Sequence, residues 1–132
     1  MKEVVEAFKR CEEALRISEK TVDIDLPTSA SRLYIAGENL AACMLLLIEG
    51  SASRDHGKLW NGIQRLFEKG DLKKNYRPVL ETSYRLRIKG DYGRDIEGVV
   101  LISREAIEEQ IKCLKEFSEE VRQKMKTEGH VV

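Results

Sequence analysis

The residues best able to do chemistry lie in one stretch, 84–94, where bases alternate with aromatic side chains. Guanidinium groups bind phosphates and aromatic rings stack on nucleobases, so this pattern is compatible with RNA or nucleotide binding. A solvated helix face, with Arg94 paired to Asp91 or Asp95, explains the same pattern, and both interpretations stay open at this point. The stretch contains Tyr84, Arg85, Arg87, Lys89, Tyr92 and Arg94.

Two further polar residues stand out against their surroundings. His56 lies at the start of a predicted helix, where an imidazole either moves protons near neutral pH or makes a capping or packing contact. Arg32 enters the most apolar segment of the chain, so its guanidinium needs a carboxylate or a phosphate partner there. Glu38 and Asn39 on the same segment also need partners, which either a structural network or a binding site would supply.

The chain lacks the short motifs that assign a reaction. Cys11, Cys43 and Cys113 are widely spaced beside apolar stripes, and no CxxC or HExxH spacing is present. We therefore expect the cysteines to act as small hydrophobes and predict neither a metal nor a cofactor. No glycine-rich phosphate loop or nucleophile elbow occurs, so spacing alone assigns no reaction.

Hydrophobic periodicity predicts five helices over residues 2–20, 28–49, 54–69, 76–90 and 103–126, with a loop over 91–102. The second is apolar on nearly every side and should be the buried central helix. Gly37 inside it indicates a close approach by another helix, and Gly50 is placed to end it. Ser103 should cap the last helix. The fold class is predicted to be all-α, an antiparallel up-and-down bundle.

Composition sets the boundaries of this interpretation. The 132 residues are 42% apolar and 35% charged, and 23 basic side chains balance 23 acidic ones. These values predict one folded domain over 1–132, with a core over about 2–126 and a frayed tail over 127–132. They argue against an intrinsically disordered chain and against a generally basic nucleic-acid-binding protein. We expect a cytoplasmic protein without a signal peptide or a membrane span, because the longest apolar run, 40–48, is short.

The order of these features resembles the HEPN superfamily of small helical-bundle proteins and, within it, the UPF0332 group of archaeal and bacterial proteins. The resemblance covers about residues 6–125. Its most specific parts are the helix opening with Arg32, Tyr34 and Ala36 and the helix end running from Arg87 to Asp91 and Tyr92.

The resemblance implies a helical bundle that commonly forms a homodimer. Many members of this superfamily are ribonuclease toxins that work without a metal, and many are encoded with a small nucleotidyltransferase that acts as the antitoxin. In the active members an arginine holds a phosphate, and a histidine separated from it by four to six intervening residues moves protons at a ribose 2′-hydroxyl.

This chain departs from that motif. Arg87 matches the arginine, but Tyr92, Gly93 and Arg94 occupy the positions where the histidine should be. The resemblance therefore implies a binding module with a degenerate site. It implies that the protein forms a homodimer and has a small nucleotidyltransferase as its partner. The binding module would contact nucleotide or RNA through Arg32, Arg87, Asp91 and Tyr92. One alternative is an active, metal-independent ribonuclease whose base is His56 or a tyrosine. Another is a purely structural assembly protein.

Overall fold

A computed structural model describes residues 2–92 and 102–130 and contains five helices in that part of the chain. The helices are α1 (Lys2–Thr21), α2 (Leu26–Glu49), α3 (His56–Glu68), α4 (Arg77–Tyr92) and α5 (Arg104–Thr127). The predicted all-α bundle is confirmed. The structure describes no residue of 93–101, so most of the predicted loop lies outside the described part.

Helix α2 is the centre of the bundle, as predicted. It packs against each of the other four helices, and Leu33, Ala36, Leu40 and Cys43 along it are completely buried. By length and hydropathy alone α2 is apolar enough to cross a bilayer, but 44% of that segment is buried inside the bundle. The apolar character of α2 therefore has an explanation in its packing against the other helices.

Gly37 lets α4 and α5 approach α2 closely. A Cβ atom at this position would lie 3.0 Å from a methyl carbon of Leu80 and 3.7 Å from one of Leu114. The close approach inferred from the sequence is thus confirmed. Gly50 also has its predicted role, because its φ of 79° and its N–H bond to the Leu46 carbonyl end the helix.

The start of α2 differs from the prediction by two residues. The predicted break extends through Pro27, whereas the helix begins at Leu26. Asp25 caps it by accepting hydrogen bonds from the backbone N–H of Thr28 at 3.2 Å and from its hydroxyl at 2.7 Å. Pro27 fits the first turn because the N–H that proline lacks has no intrahelical acceptor there.

The segment 50–55 brings the chain back alongside α2 before α3 begins. Glu49 accepts two hydrogen bonds from Arg65, near the end of α3, while Glu38 lies within electrostatic range of His56 at its start. Asp55 caps α3 by accepting a hydrogen bond from the Lys58 N–H at 3.0 Å. His56 is consequently held level with the middle of α2.

Candidate functional site

Three helices each contribute two side chains, one helical turn apart, to a single cluster. Residues three or four positions apart lie on the same face of a helix, so each pair points in one direction. We call this group the His56–Arg87 cluster, and it consists of Tyr34 and Glu38 on α2, His56 and Trp60 on α3, and Tyr84 and Arg87 on α4.

Ring contacts connect the three helices within the cluster. The His56 ring centroid lies 4.9 Å from that of Trp60 and 4.6 Å from that of Tyr84. Trp60 and Tyr84 meet edge to face at 5.6 Å, and Tyr84 contacts Tyr34 at 5.8 Å. These distances are typical of favourable aromatic pairs, so the rings fix the relative positions of α2, α3 and α4 at this point.

Arg87 joins the cluster through the ring of Tyr34. Its guanidinium carbon lies 4.7 Å from the ring centroid, which is a cation–π contact. The Tyr34 hydroxyl donates a hydrogen bond to Glu38 Oε1 at 3.1 Å. Burial and the Glu38 carboxylate raise the pKa of Tyr34 to about 12, so this phenol stays neutral and remains a donor at physiological pH.

Glu38 is the carboxylate at the centre of the cluster. Burial raises its pKa above the ordinary 4.5, and this shift is opposed by the Tyr34 hydroxyl, the charge of His56, the Trp60 indole N–H and the charge of Arg87. Its Oε2 atom and the Trp60 Nε1 atom are both buried without a well-aligned hydrogen bond among the described residues. The strongest of these stabilising contacts is the hydrogen bond from Tyr34, followed by the charge of His56.

The arrangement combines the groups needed to hold a phosphate ester. Arg87 offers a guanidinium that forms charge-assisted hydrogen bonds to phosphate oxygens, and His56 offers an imidazole that exchanges protons near neutral pH. Both side chains are half-buried, so part of each reaches solvent. The adjacent aromatic rings can stack on a base of the same ligand.

The structure brings together His56 and Arg87, which the sequence analysis could not place near each other. It does not bring Arg32 to them. Arg32 is exposed in a hollow beside Pro27 and Ile35, and its position on α2 is about 200° around the helix axis from Tyr34. The expectation that Arg32 enters the apolar interior and needs a buried partner is wrong, because the side of α2 that carries Arg32 faces solvent.

The other predicted positions on α4 are only partly described. Helix α4 runs through Tyr92, so Asp91 and Tyr92 have helical backbone, which corrects the predicted loop start at residue 91. The side chains of Asp91 and Tyr92 lie outside the described residues. Their proposed part in binding therefore stays a prediction.

Sequence analysis left Glu38 open between a structural network and a binding site, and it did not single out Trp60. The signal was present, because Glu38 follows Tyr34 by one turn inside an otherwise apolar helix, and Trp60 follows His56 by one turn. The partner expected for Asn39 is local, since its amide nitrogen donates to the Ile35 carbonyl at 2.9 Å. Asn39 therefore has a structural explanation, whereas Glu38 belongs to the cluster.

The cysteines fit their expected role in two cases of three. Cys11 and Cys43 are fully buried, and burial raises the pKa of Cys43 to about 12 and that of Cys11 further. Cys113 is only half-buried. In the part of the chain that the structure describes, no group of three or more His, Cys, Asp or Glu side chains is arranged to hold a metal ion.

Two larger surface hollows contain none of the predicted site residues. One, of about 620 Å³, lies between the end of α1 and α5, and its charges pair with each other, as Arg104 does with Asp23 and Glu108. The other, of about 570 Å³, lies beside α5, where Glu120 accepts a hydrogen bond from the Tyr76 hydroxyl at 2.5 Å. Arg104 and Glu120 are therefore already engaged in contacts within the protein.

Comparison with known proteins adds no family to this description. No protein-family model matches the chain, and no curated protein is significantly similar to it.

The raised pKa of Glu38 predicts the pH dependence of a Glu38→Gln variant. A carboxyl whose pKa is higher in the folded than in the unfolded protein costs stability as the pH rises through that interval. We expect the unfolding free energy of Glu38→Gln, relative to the wild type, to increase between pH 4 and pH 7. Urea denaturation at several pH values measures this difference, and a difference that stays constant or decreases would contradict the burial of this charge.

Proposed function

We propose that this protein is a binding module for RNA or nucleotides and that its site is the His56–Arg87 cluster. One observation carries the proposal: a guanidinium and an imidazole from two different helices share one half-buried cluster with three aromatic rings. The chain has no net charge, so a local pair of cations must supply the attraction for phosphate. The stacking rings add affinity that does not depend on base identity.

The resemblance to the HEPN superfamily supports the same proposal from the sequence side. Arg87 is the residue that matches the phosphate-binding arginine of the active members. Asp91 and Tyr92 follow it by one turn of α4 and are proposed to position it or the ligand. Arg32 has no part in the cluster and is left out of the proposed contact surface.

Substitution of Arg87 tests the binding site directly. We expect Arg87→Ala to bind a rhodamine-labelled 2′-O-methyl oligonucleotide about 10-fold more weakly than the wild type, because a charge-assisted contact to phosphate is lost. Arg85→Ala is the matched control: Arg85 lies on the same helix with its side chain 49% exposed, and it pairs with Glu81 at 3.9 Å. Fluorescence anisotropy gives both Kd values, and equal losses in the two variants would point to net charge rather than to this cluster.

A second candidate function is metal-independent cleavage of RNA, with His56 as the general base. The observation that favours it is the contact of His56 with the ring of Tyr84, one turn before Arg87 on α4. An imidazole from α3 would then do the work of the histidine missing from α4. General acid–base catalysis typically contributes about 10²- to 10⁴-fold to a rate.

Incubation of the protein with unmodified RNA in EDTA distinguishes catalysis from binding. If the chain is a ribonuclease, cleavage appears without a metal, and His56→Gln lowers the rate by about 10²-fold or more while Arg85→Ala keeps it. If the wild type binds RNA but the RNA stays intact, the result supports the binding module and contradicts the ribonuclease. An oligonucleotide that neither binds nor is cleaved would favour a purely structural assembly protein.

We also propose that the protein is a homodimer and that a small nucleotidyltransferase is its partner, as the resemblance implies. The surface offers apolar side chains for such contacts, because Ile24 is 82% exposed and Ile35, Leu46 and Leu47 are half-buried. Light scattering at micromolar concentration should give about twice the chain mass of 15.1 kDa. A measured mass equal to that of one chain would rule out the dimer, and the same measurement after mixing with a nucleotidyltransferase tests the second partner.

A further inference from the structure

Glu38 places a negative charge inside the surface that is proposed to bind phosphate. Its carboxylate acts on His56 and on Arg87, and its Oε1 atom accepts the hydrogen bond of Tyr34, whose ring lies under the Arg87 guanidinium. A ligand phosphate that contacts the two cations therefore comes close to Glu38. The carboxylate and the phosphate compete for the same positive charges.

The competition is large enough to measure. Two like charges about 7 Å apart, with an effective dielectric constant between that of a protein surface and that of water, weaken binding by about 3- to 10-fold. The Glu38 charge disappears when the carboxyl takes up a proton. Binding of an anion thus favours the protonated form of Glu38.

We infer that Glu38 is a proton-coupled competitor in the phosphate site, so that binding of a phosphodiester favours the uptake of a proton by Glu38. This inference rests on the proposed binding function. The proton comes from solvent and forms the O–H bond of the carboxylic acid, and no bond in the ligand changes. The consequence is regulation of the site by pH, because affinity for RNA or nucleotide rises as the pH falls.

The surroundings of Glu38 favour this coupling. Burial raises its pKa, so less free energy is needed to protonate it than to protonate an exposed glutamate. The groups that act on it are Tyr34 of its own helix, His56 and Trp60 of α3, and Arg87 of α4. Tyr34 remains a neutral donor across the range of interest, because burial and the Glu38 carboxylate raise its pKa to about 12.

Binding of a 2′-O-methyl oligonucleotide to wild type and to Glu38→Gln tests the inference. Phosphodiesters keep one negative charge over the whole range, and a rhodamine label avoids a dye that titrates. Glu38 acts on the charge of His56, so His56 is replaced by Gln in both proteins of this comparison. We expect Glu38→Gln to bind about 3- to 10-fold more tightly than the protein with Glu38 at pH 8, and the ratio of the two Kd values to fall as the pH is lowered.

Glu81→Gln is the matched control. Glu81 lies on α4 and pairs with Arg77 at 2.7 Å, outside the cluster, so its loss changes the net charge by the same amount. We expect this variant to show no gain that depends on pH. A gain equal to that of Glu38→Gln would overturn the inference, because the effect would then come from net charge.

The remaining outcomes separate this inference from the proposed function. If the wild type binds and depends on Arg87, but Glu38→Gln binds equally or more weakly at pH 8, the competition is wrong and the binding function stands. If neither protein binds the oligonucleotide, the binding function is wrong and this inference falls with it. If only Glu38→Gln binds the oligonucleotide, the result supports competition between the Glu38 carboxylate and the ligand phosphate.

Discussion

The constraint on which this structure depends is that α2, the most apolar helix, has to bury its apolar side chains against its neighbours. Four helices are these neighbours, and glycines at the contacts let them come close. A Cβ at Gly62 would lie 2.9 Å from both methyl carbons of Leu45, so α3 rests directly on α2. The positions of α3 and α4, and hence of the side chains they carry, follow from the burial of α2.

The same packing explains why Glu38, the carboxylate in the middle of α2, needs partners from the neighbouring helices. Glu38 is half-buried, so its charge needs compensation, since uncompensated burial of a carboxylate is costly. The bundle supplies a phenol hydroxyl, an indole N–H, an imidazole and a guanidinium around Glu38.

Much of the fold could be predicted from the sequence because helices are local. Periodicity indicates all five elements, Gly37 indicates the close approach of α4 and α5, and Ser103 caps α5 by accepting a hydrogen bond from the Ala106 N–H at 3.1 Å. The predicted start of α2 differs from the observed start at Leu26 because Pro27 indicates a break, although the first turn of a helix tolerates proline. The exposure of Arg32 was missed because the composition of α2 concealed which side of it faces solvent.

The site could be predicted only in part, for a physical reason. A motif in which both catalytic groups come from one helix turn is visible as a spacing, and that spacing is absent here. The contact between His56 and the α4 ring of Tyr84 depends instead on segment 50–55, which returns the chain so that α3 starts beside Glu38. Such a tertiary contact leaves no regular spacing in the sequence. What the sequence does contain is one polar and aromatic pair on each of three helices, each pair separated by one turn. When such pairs interrupt faces that should be apolar, the fold that buries those faces also brings the pairs together, and the meeting point is where a binding site is to be sought.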